Sequence, residues 1–195
     1  MTVRRLMRVV VLPLAVACSD GETPRAEAPG GGGTFALSNQ QATIQVTTPS
    51  DNEIVLVHSF AASRDAVFAA LTSPEQLAAW LRPTAMSLVS CEVDLRVGGK
   101  LRYLFERPNG RRIEVRGTFS VVERPYRFAY VESYDFSPLE VQVTTSLEEA
   151  GEMTILTQAL RYASKQERDE DYPGVTESAK EVFANLDRYL TKRDW

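Results

Sequence analysis

The chain has 195 residues, 44% of them hydrophobic, and a formal net charge of −4 at pH 7. That length and composition fit one globular domain with a sizeable core. The acidic balance argues against a nucleic-acid partner, which requires a basic face. With one histidine and two cysteines, the chain has too few of these ligands for a metal site built on them. No metal and no cofactor is therefore expected.

Residues 1–18 have the pattern of a secretory signal. Several arginines precede an apolar run at 9–17, which is shorter than the roughly 20 residues needed to span a bilayer. The small residues before Cys18 resemble a bacterial lipobox, although Ala15 stands where leucine is usual. Cys18 is thus the predicted lipidation site, and the predicted location is the bacterial cell envelope, periplasmic or extracytoplasmic. The alternative is a cytoplasmic protein with a mis-assigned start codon.

Residues 19–40 are predicted to be a flexible linker that precedes a folded domain at 41–195. The linker contains four consecutive glycines at 30–33 and no apolar periodicity, so it cannot bury enough surface to fold. Cys91 remains as the thiol of the folded part. It is expected to be a small buried hydrophobe rather than a nucleophile, because no histidine is close in sequence to activate it.

The first elements of the domain are predicted to be a strand and two short helices. A β-branched, apolar run at 53–60 predicts the strand, and residues 35–48 can add an edge strand before it. Ser63 and Ser73 stand at N-cap positions, and Pro74 suits a first helical turn. The two helices are predicted at 64–71 and 74–81.

The rest of the chain predicts strands and one closing helix. A Gly-Gly pair at 98–99 and an Asn-Gly pair at 109–110 are typical of tight turns. A charged loop is predicted at 164–171, and the apolar spacing of three and four from Ala179 to Leu190 predicts a helix at about 176–192. The strands are predicted by their alternation at 86–95, 100–107, 112–122, 126–136, 139–147 and 153–162.

This order of elements predicts an α+β fold. A curved antiparallel sheet of about six or seven strands would wrap around the long C-terminal helix, with the two short helices after the first strand. A helix with one apolar stripe must bury that stripe, and the concave face of the sheet is the surface available for it.

Several short segments in this order resemble one protein family. They are Ser63 to Leu77 with Trp80 for the helix pair, Asp94 to Gly99 for a hairpin, Val122 to Phe128 for a strand pair, and Thr154 to Thr157 with Leu186 to Leu190 for the end. The chain is similar to the START-like or SRPBCC superfamily, and within it to the activator of heat shock protein 90 ATPase homologue family. The resemblance covers about residues 53–191.

The resemblance implies a helix-grip fold and a cavity between the sheet and the last helix. The chain departs from the family pattern at two positions that face this cavity. Val175 follows Gly174 where the family often has tryptophan, and Gln158 stands where the family often has histidine on the last strand. These departures mean that a ligand preference cannot be transferred from the family.

The alternation of the strands predicts which side chains line such a cavity. An apolar pocket with a few convergent polar groups is the usual form of a small-molecule site. The alternative for each aromatic residue is a place in an ordinary core. The predicted lining residues are Trp80, Tyr103, Phe105, Phe119, Tyr130, Glu132, Tyr134, Leu156, Gln158, Phe183 and Leu186.

Glu132 is the most specific of these candidates. If it shares the inner face with Tyr130 and Tyr134, it could bind a ligand or act as a general acid or base. If the register slips near the strand end, it faces water instead. His58, on the same parity as Phe60, is expected to be structural or exposed, and no catalytic residue is assigned.

Three functions remain open from the sequence. The first is binding of a hydrophobic small molecule or lipid by an envelope-anchored domain without catalysis. The second is a cytoplasmic protein-interaction module of the chaperone-activator type. The third is an enzyme related to the superfamily's cyclases or hydrolases, which would require a buried polar pair such as Glu132 with a tyrosine.

Overall fold

The computed structural model describes residues 44–192. Over this range the chain forms eight strands and three helices. In chain order they are β1 (Gln45–Thr47), β2 (Glu53–Phe60), α1 (Arg64–Thr72), α2 (Pro74–Trp80), β3 (Ser87–Val93), β4 (Lys100–Glu106), β5 (Arg112–Glu123), β6 (Arg127–Tyr134), β7 (Ser137–Ala150), β8 (Met153–Arg161) and α3 (Lys165–Leu190). The predicted linker at 19–40 and Cys18 lie outside the described residues.

The strands form one curved antiparallel sheet in the order β1-β2-β8-β7-β6-β5-β4-β3. The predicted α+β architecture is confirmed, but the described part has eight strands rather than six or seven. The additional strand is β1, which pairs with β2 through Gln45 opposite Val57 and Thr47 opposite Val55. It lies within residues 35–48, the segment for which the sequence allowed an edge strand, and it is only three residues long.

Both short helices begin at the serines predicted to cap them. The Ser63 side chain accepts a hydrogen bond from the Ala66 backbone N–H (3.3 Å), and Ser73 does the same for Gln76 (3.4 Å). These bonds satisfy donors that the first turn of a helix leaves without an intrahelical acceptor. The helix pair is therefore specified locally, close to the predicted boundaries.

The C-terminal helix begins eleven residues earlier than predicted, at Lys165 rather than about Thr176. Proline and glycine at 173 and 174 favour a helix boundary, but Pro173 lies inside α3. The N-terminus is instead set at Ser164, whose Oγ accepts from the Glu167 N–H (3.2 Å), while the Glu167 carboxylate accepts from the Ala163 N–H (3.1 Å). This arrangement is close to a capping box, a signal that outweighs the proline here.

The apolar face of α3 packs on the inner face of the sheet and completes the core. Its buried residues continue the spacing of three and four back to residue 168. The sheet contributes the alternate residues of β2 and β4 to β8, which are buried while their neighbours point outward. No helix in the described part of the chain is long and apolar enough to cross a membrane.

Candidate functional site

A buried carboxylate lies on the inner face of β6. Glu132 is 1% exposed, so the interior placement left open by the sequence is the one observed. The Tyr134 hydroxyl donates a hydrogen bond to Glu132 Oε1. The two residues share a face because they are two apart on one strand. A charged group in an apolar interior is costly unless it is hydrogen-bonded, and Tyr134 supplies such a bond.

Three buried tyrosines near this carboxylate stay protonated at neutral pH. Burial, followed by the negative charge of Glu132, raises the pKa of Tyr130 well above its usual value. Burial also raises the pKa of Tyr103 and of Tyr162, and the charge of Glu132 adds to both shifts. Each hydroxyl therefore remains a neutral hydrogen-bond donor. The arrangement can hold a negative charge, or orient a polar group of a bound molecule.

All eleven residues predicted to line a cavity are buried. Aromatic rings surround Glu132 on three neighbouring strands, with the Phe119 and Tyr130 ring centres 5.7 Å apart and those of Tyr103 and Phe105 6.3 Å apart. Both core residues and residues that line a ligand cavity are buried. The burial therefore confirms that these side chains face the interior but does not distinguish the two roles. The remaining members lie on α2, β8 and α3: Trp80, Leu156, Gln158, Phe183 and Leu186.

Trp80 has a structural contact of its own. Its indole Nε1–H donates to the backbone carbonyl of Ala70 at 2.8 Å, which ties α2 to α1. A buried tryptophan usually requires such a partner. The contact explains why the second helix packs against the first at this residue.

A second group of polar side chains lies on β2, β7 and β8. Gln158, 4% exposed, donates from Nε2 to Thr145 Oγ1 at 3.0 Å. His58, 3% exposed, contacts Asp187 Oδ2 on α3 through Nε2 at 2.9 Å. The His58 ring also stacks on Phe183, with ring centres 5.1 Å apart. The structural role expected for His58 agrees with these contacts.

The sequence reasoning missed a polar cluster at the start of α3. The Tyr162 hydroxyl donates to Asp171 Oδ2 at 2.9 Å, and both residues are buried. Arg168 is also buried and lies 2.9 Å from Asp169 through its Nε. Arg168 and Asp171 lie in the segment predicted to be a charged loop, and the structure places both on α3. Extending the apolar spacing of α3 backward through 175, 171 and 168 would have identified them.

Arginines on β4 and β5, and Arg96 in the segment between β3 and β4, lie outside the interior of the sheet. Arg102 and Arg116 both bond the Glu114 carboxylate, which lowers the pKa of that group. Arg112 pairs with Glu106 at 2.8 Å, and Arg96 pairs with Asp94 at 2.9 Å. Within residues 44–192 no group of three or more histidine, cysteine or acidic side chains is placed to hold a metal ion.

Comparison with known proteins assigns this fold to a family. The model of the family described as "Activator of Hsp90 ATPase homolog 1-like protein" matches residues 61–191. A crystal structure of a protein from Rhodobacter sphaeroides is 30% identical with a TM-score of 0.74, over 77% of this chain and 99% of that one. No curated protein matches the chain.

Two further structures share the fold at lower identity. A protein from Mycobacterium smegmatis is 24% identical with a TM-score of 0.67, over 77% of this chain and 98% of that one. A protein from Nitrosomonas europaea is 21% identical with a TM-score of 0.68, over 75% and 100% respectively. The sheet wrapped on one long helix, the matched family model and the Rhodobacter relative lead to one conclusion: this chain belongs to the activator of Hsp90 ATPase homologue family of START-like, or SRPBCC, proteins.

Proposed function

We propose that the domain binds a hydrophobic small molecule or lipid between the sheet and α3, with Glu132 as its polar anchor. The observation that carries the proposal is the buried Glu132 carboxylate, set among aromatic side chains on the inner face of the sheet. Family membership is consistent with a ligand-binding domain at this coarse level. An apolar surface with a few convergent polar groups is how small-molecule sites are usually built.

The chemistry of the anchor favours binding over a purely structural role. A buried ion pair or carboxylate adds little stability compared with an apolar core of the same volume. Keeping Glu132 inside therefore has a cost that a plain core would avoid. Polar specificity for a bound molecule is a physical reason for a fold to retain such a group.

Native mass spectrometry of the full chain, purified gently from its own host, tests the proposal. We expect an additional mass in the native spectrum that is released on denaturation and that identifies the ligand class. Glu132→Gln should reduce its occupancy, whereas Glu140→Gln, on the outward side of β7, should not. A native mass equal to the apo mass would overturn the proposal and favour a protein-interaction module of the chaperone-activator type.

The proposal includes a location, which rests on the sequence alone. Lipidation at Cys18, followed by the linker, would hold the domain at the bacterial cell envelope and suit a carrier of apolar compounds. Cell fractionation tests this part: the wild-type chain should be in the membrane fraction and a Cys18→Ser chain should not. A wild-type chain found only in the cytoplasm would overturn it.

A second candidate function is proton-transfer chemistry on a bound substrate. The Glu132–Tyr134 hydrogen bond favours it, because a carboxylate paired with a neutral phenol can exchange a proton with a third group. Once a ligand is identified, Glu132→Gln separates the two candidates. Loss of turnover with retained binding would indicate catalysis, and loss of binding alone would indicate an anchor.

A further inference from the structure

Two buried side chains on adjacent strands define a second polar position in the interior, away from Glu132. His58 on β2 is opposite Leu156 on β8, and Gln158 on β8 is opposite Leu56 on β2. His58 and Gln158 are therefore diagonal neighbours on the inner face, with Cα atoms about 7–8 Å apart. Gln158 is two strands from β6, and His58 faces the C-terminal part of α3.

The second ring nitrogen of His58, Nδ1, is a hydrogen-bond acceptor when the imidazole is neutral. Nε2 lies 2.9 Å from the Asp187 carboxylate, which can only accept. In the neutral form of the imidazole the proton is therefore on Nε2, and Nδ1 presents a lone pair. Nδ1 is fully shielded from solvent and has no hydrogen-bond partner among residues 44–192.

The side-chain oxygen of Gln158 has the same property. The amide Nε2 donates to Thr145 Oγ1, and the amide oxygen Oε1 takes no part in this bond. Oε1 is buried and has no partner within the described part of the chain. A buried polar atom without a partner is destabilising, and most buried polar atoms in native proteins have one. Both atoms require a donor, and neither can supply one.

The residues around this position disfavour an anionic partner. On β2 and β4 to β8, no inward-facing residue is lysine or arginine. The buried cation of α3 is Arg168, but about 28 Å of helix separates residue 168 from Asp187, which contacts His58. A carboxylate or phosphate placed here would have no inward-facing lysine or arginine beside it, would lie near the Asp187 carboxylate and would face two acceptor atoms.

We propose that His58 Nδ1 and Gln158 Oε1 share the single hydrogen of a hydroxyl group of the bound molecule, or each accept one hydrogen from an amino group. The ligand is then an apolar alcohol or amine, and not a fatty acid or another anionic lipid. The inference rests on the proposed function, because it requires a ligand in the interior. It assigns the chemical class of that ligand from groups other than Glu132.

A displacement assay with a neutral fluorescent probe, Nile red, tests the inference on the full chain. The competitors are 1-decanol, nonyl methyl ether and decanoate. The ether has the same number of heavy atoms as the alcohol but no donor, so the pair isolates the hydrogen bond. We expect decanol to displace the probe at a concentration about tenfold lower than the ether, and decanoate to be the weakest.

Substitutions of His58 and Gln158 test whether these two side chains cause the preference for decanol over the ether. His58→Phe keeps the stack on Phe183, and Gln158→Leu removes the amide; each should reduce the ratio between decanol and the ether to below about threefold. Gln142→Leu, on the outward side of β7, is the matched control and should leave the ratio unchanged. Should one variant fail to fold, the other still reports on the same ratio.

The possible failures are distinguishable. If Nile red does not bind the wild-type chain, the proposed function fails and this inference fails with it. If Nile red binds but the ether or decanoate competes as well as decanol, the interior binds apolar molecules and only the inference is overturned. A full decanol preference that survives both variants would also overturn it.

Discussion

The Tyr134 hydroxyl donates to the Glu132 carboxylate across two positions of the same strand, in a part of the interior shielded from water. The pleat of β6 places both side chains on the inner face of the sheet and brings them together. Their stability effects should therefore be coupled. The pair also lies where a ligand would be anchored, so its energetics can be measured before any ligand is known.

Tyr134→Phe should lower the free energy of unfolding by about 1–3 kcal/mol, because the buried carboxylate loses one donor. In a Glu132→Gln background the same change should cost less by at least about 0.5 kcal/mol. Urea unfolding of the four proteins of this cycle measures the difference. Additive effects would show that the two side chains contribute independently, and that the hydrogen bond between them contributes little to the free energy of unfolding.

Stability should fall steeply at alkaline pH. Tyr103, Tyr130 and Tyr162 have pKa values raised above the usual tyrosine value by burial. A tyrosine whose pKa is higher in the folded state binds its proton more tightly there than in the unfolded state. Its contribution to the free energy of unfolding is therefore fully present below pH 10 and is lost progressively above it. Each tyrosine should lower the free energy of unfolding by about 1.4 kcal/mol per pH unit above about pH 10.

Urea unfolding at pH 8 to 11.5 measures this slope. Tyr130→Phe removes one of the three groups and should reduce the slope by about a third. Tyr126→Phe is the control, since the Tyr126 side chain is exposed to solvent. An unchanged slope in Tyr130→Phe would contradict the prediction that ionisation of Tyr130 contributes to the loss of stability at alkaline pH.

Gly117 is required by its neighbour rather than by its backbone conformation. A Cβ atom at this position would lie 2.6 Å from Leu101 Cγ on the paired strand β4. Gly117→Ala should therefore lower the free energy of unfolding by about 1–3 kcal/mol through overpacking. In a Leu101→Ala background, the space is already open and the same change should cost less than about 0.5 kcal/mol. An equal cost in both backgrounds, measured by urea unfolding, would exclude this steric cause.

The strands and the first two helices were predictable because their signals are local. Alternation along β6 placed Tyr130, Glu132 and Tyr134 on one face, and Ser63 and Ser73 marked the helix starts. Each of these depends on residues a few positions apart. The family resemblance rested on the same segments and is confirmed by the matched family model.

Other features depend on residues far apart in sequence. His58 contacts Asp187 from the opposite end of the domain, and Tyr162 contacts Asp171 across the entry to α3. Neither pairing is encoded in periodicity. The early start of α3 was missed for another reason. The proline and glycine at 173 and 174 are typical of a loop that ends just before a helix, whereas α3 already begins at Lys165 and continues through both residues.

Cys91 should react slowly in the folded protein. Burial, with smaller contributions from Glu75 and Glu92, raises the pKa of its thiol to about 11. At pH 8 about one thiol in a thousand is then ionised, compared with about one in four at an ordinary cysteine pKa. Iodoacetamide labelling of the full-length Cys18→Ser chain, followed by mass spectrometry, should be at least about 100-fold slower in buffer than in 8 M urea.

Glu92→Gln removes one of the charges that raise the Cys91 pKa and should accelerate native labelling several-fold. Glu140→Gln, on β7 and outside that set of charges, should leave the rate unchanged. Labelling must also rise with pH up to about 11 in the folded protein. A native labelling rate close to the unfolded rate at pH 8 would contradict this prediction. It would show that the edge strand β3 opens frequently and exposes the Cys91 thiol to the reagent.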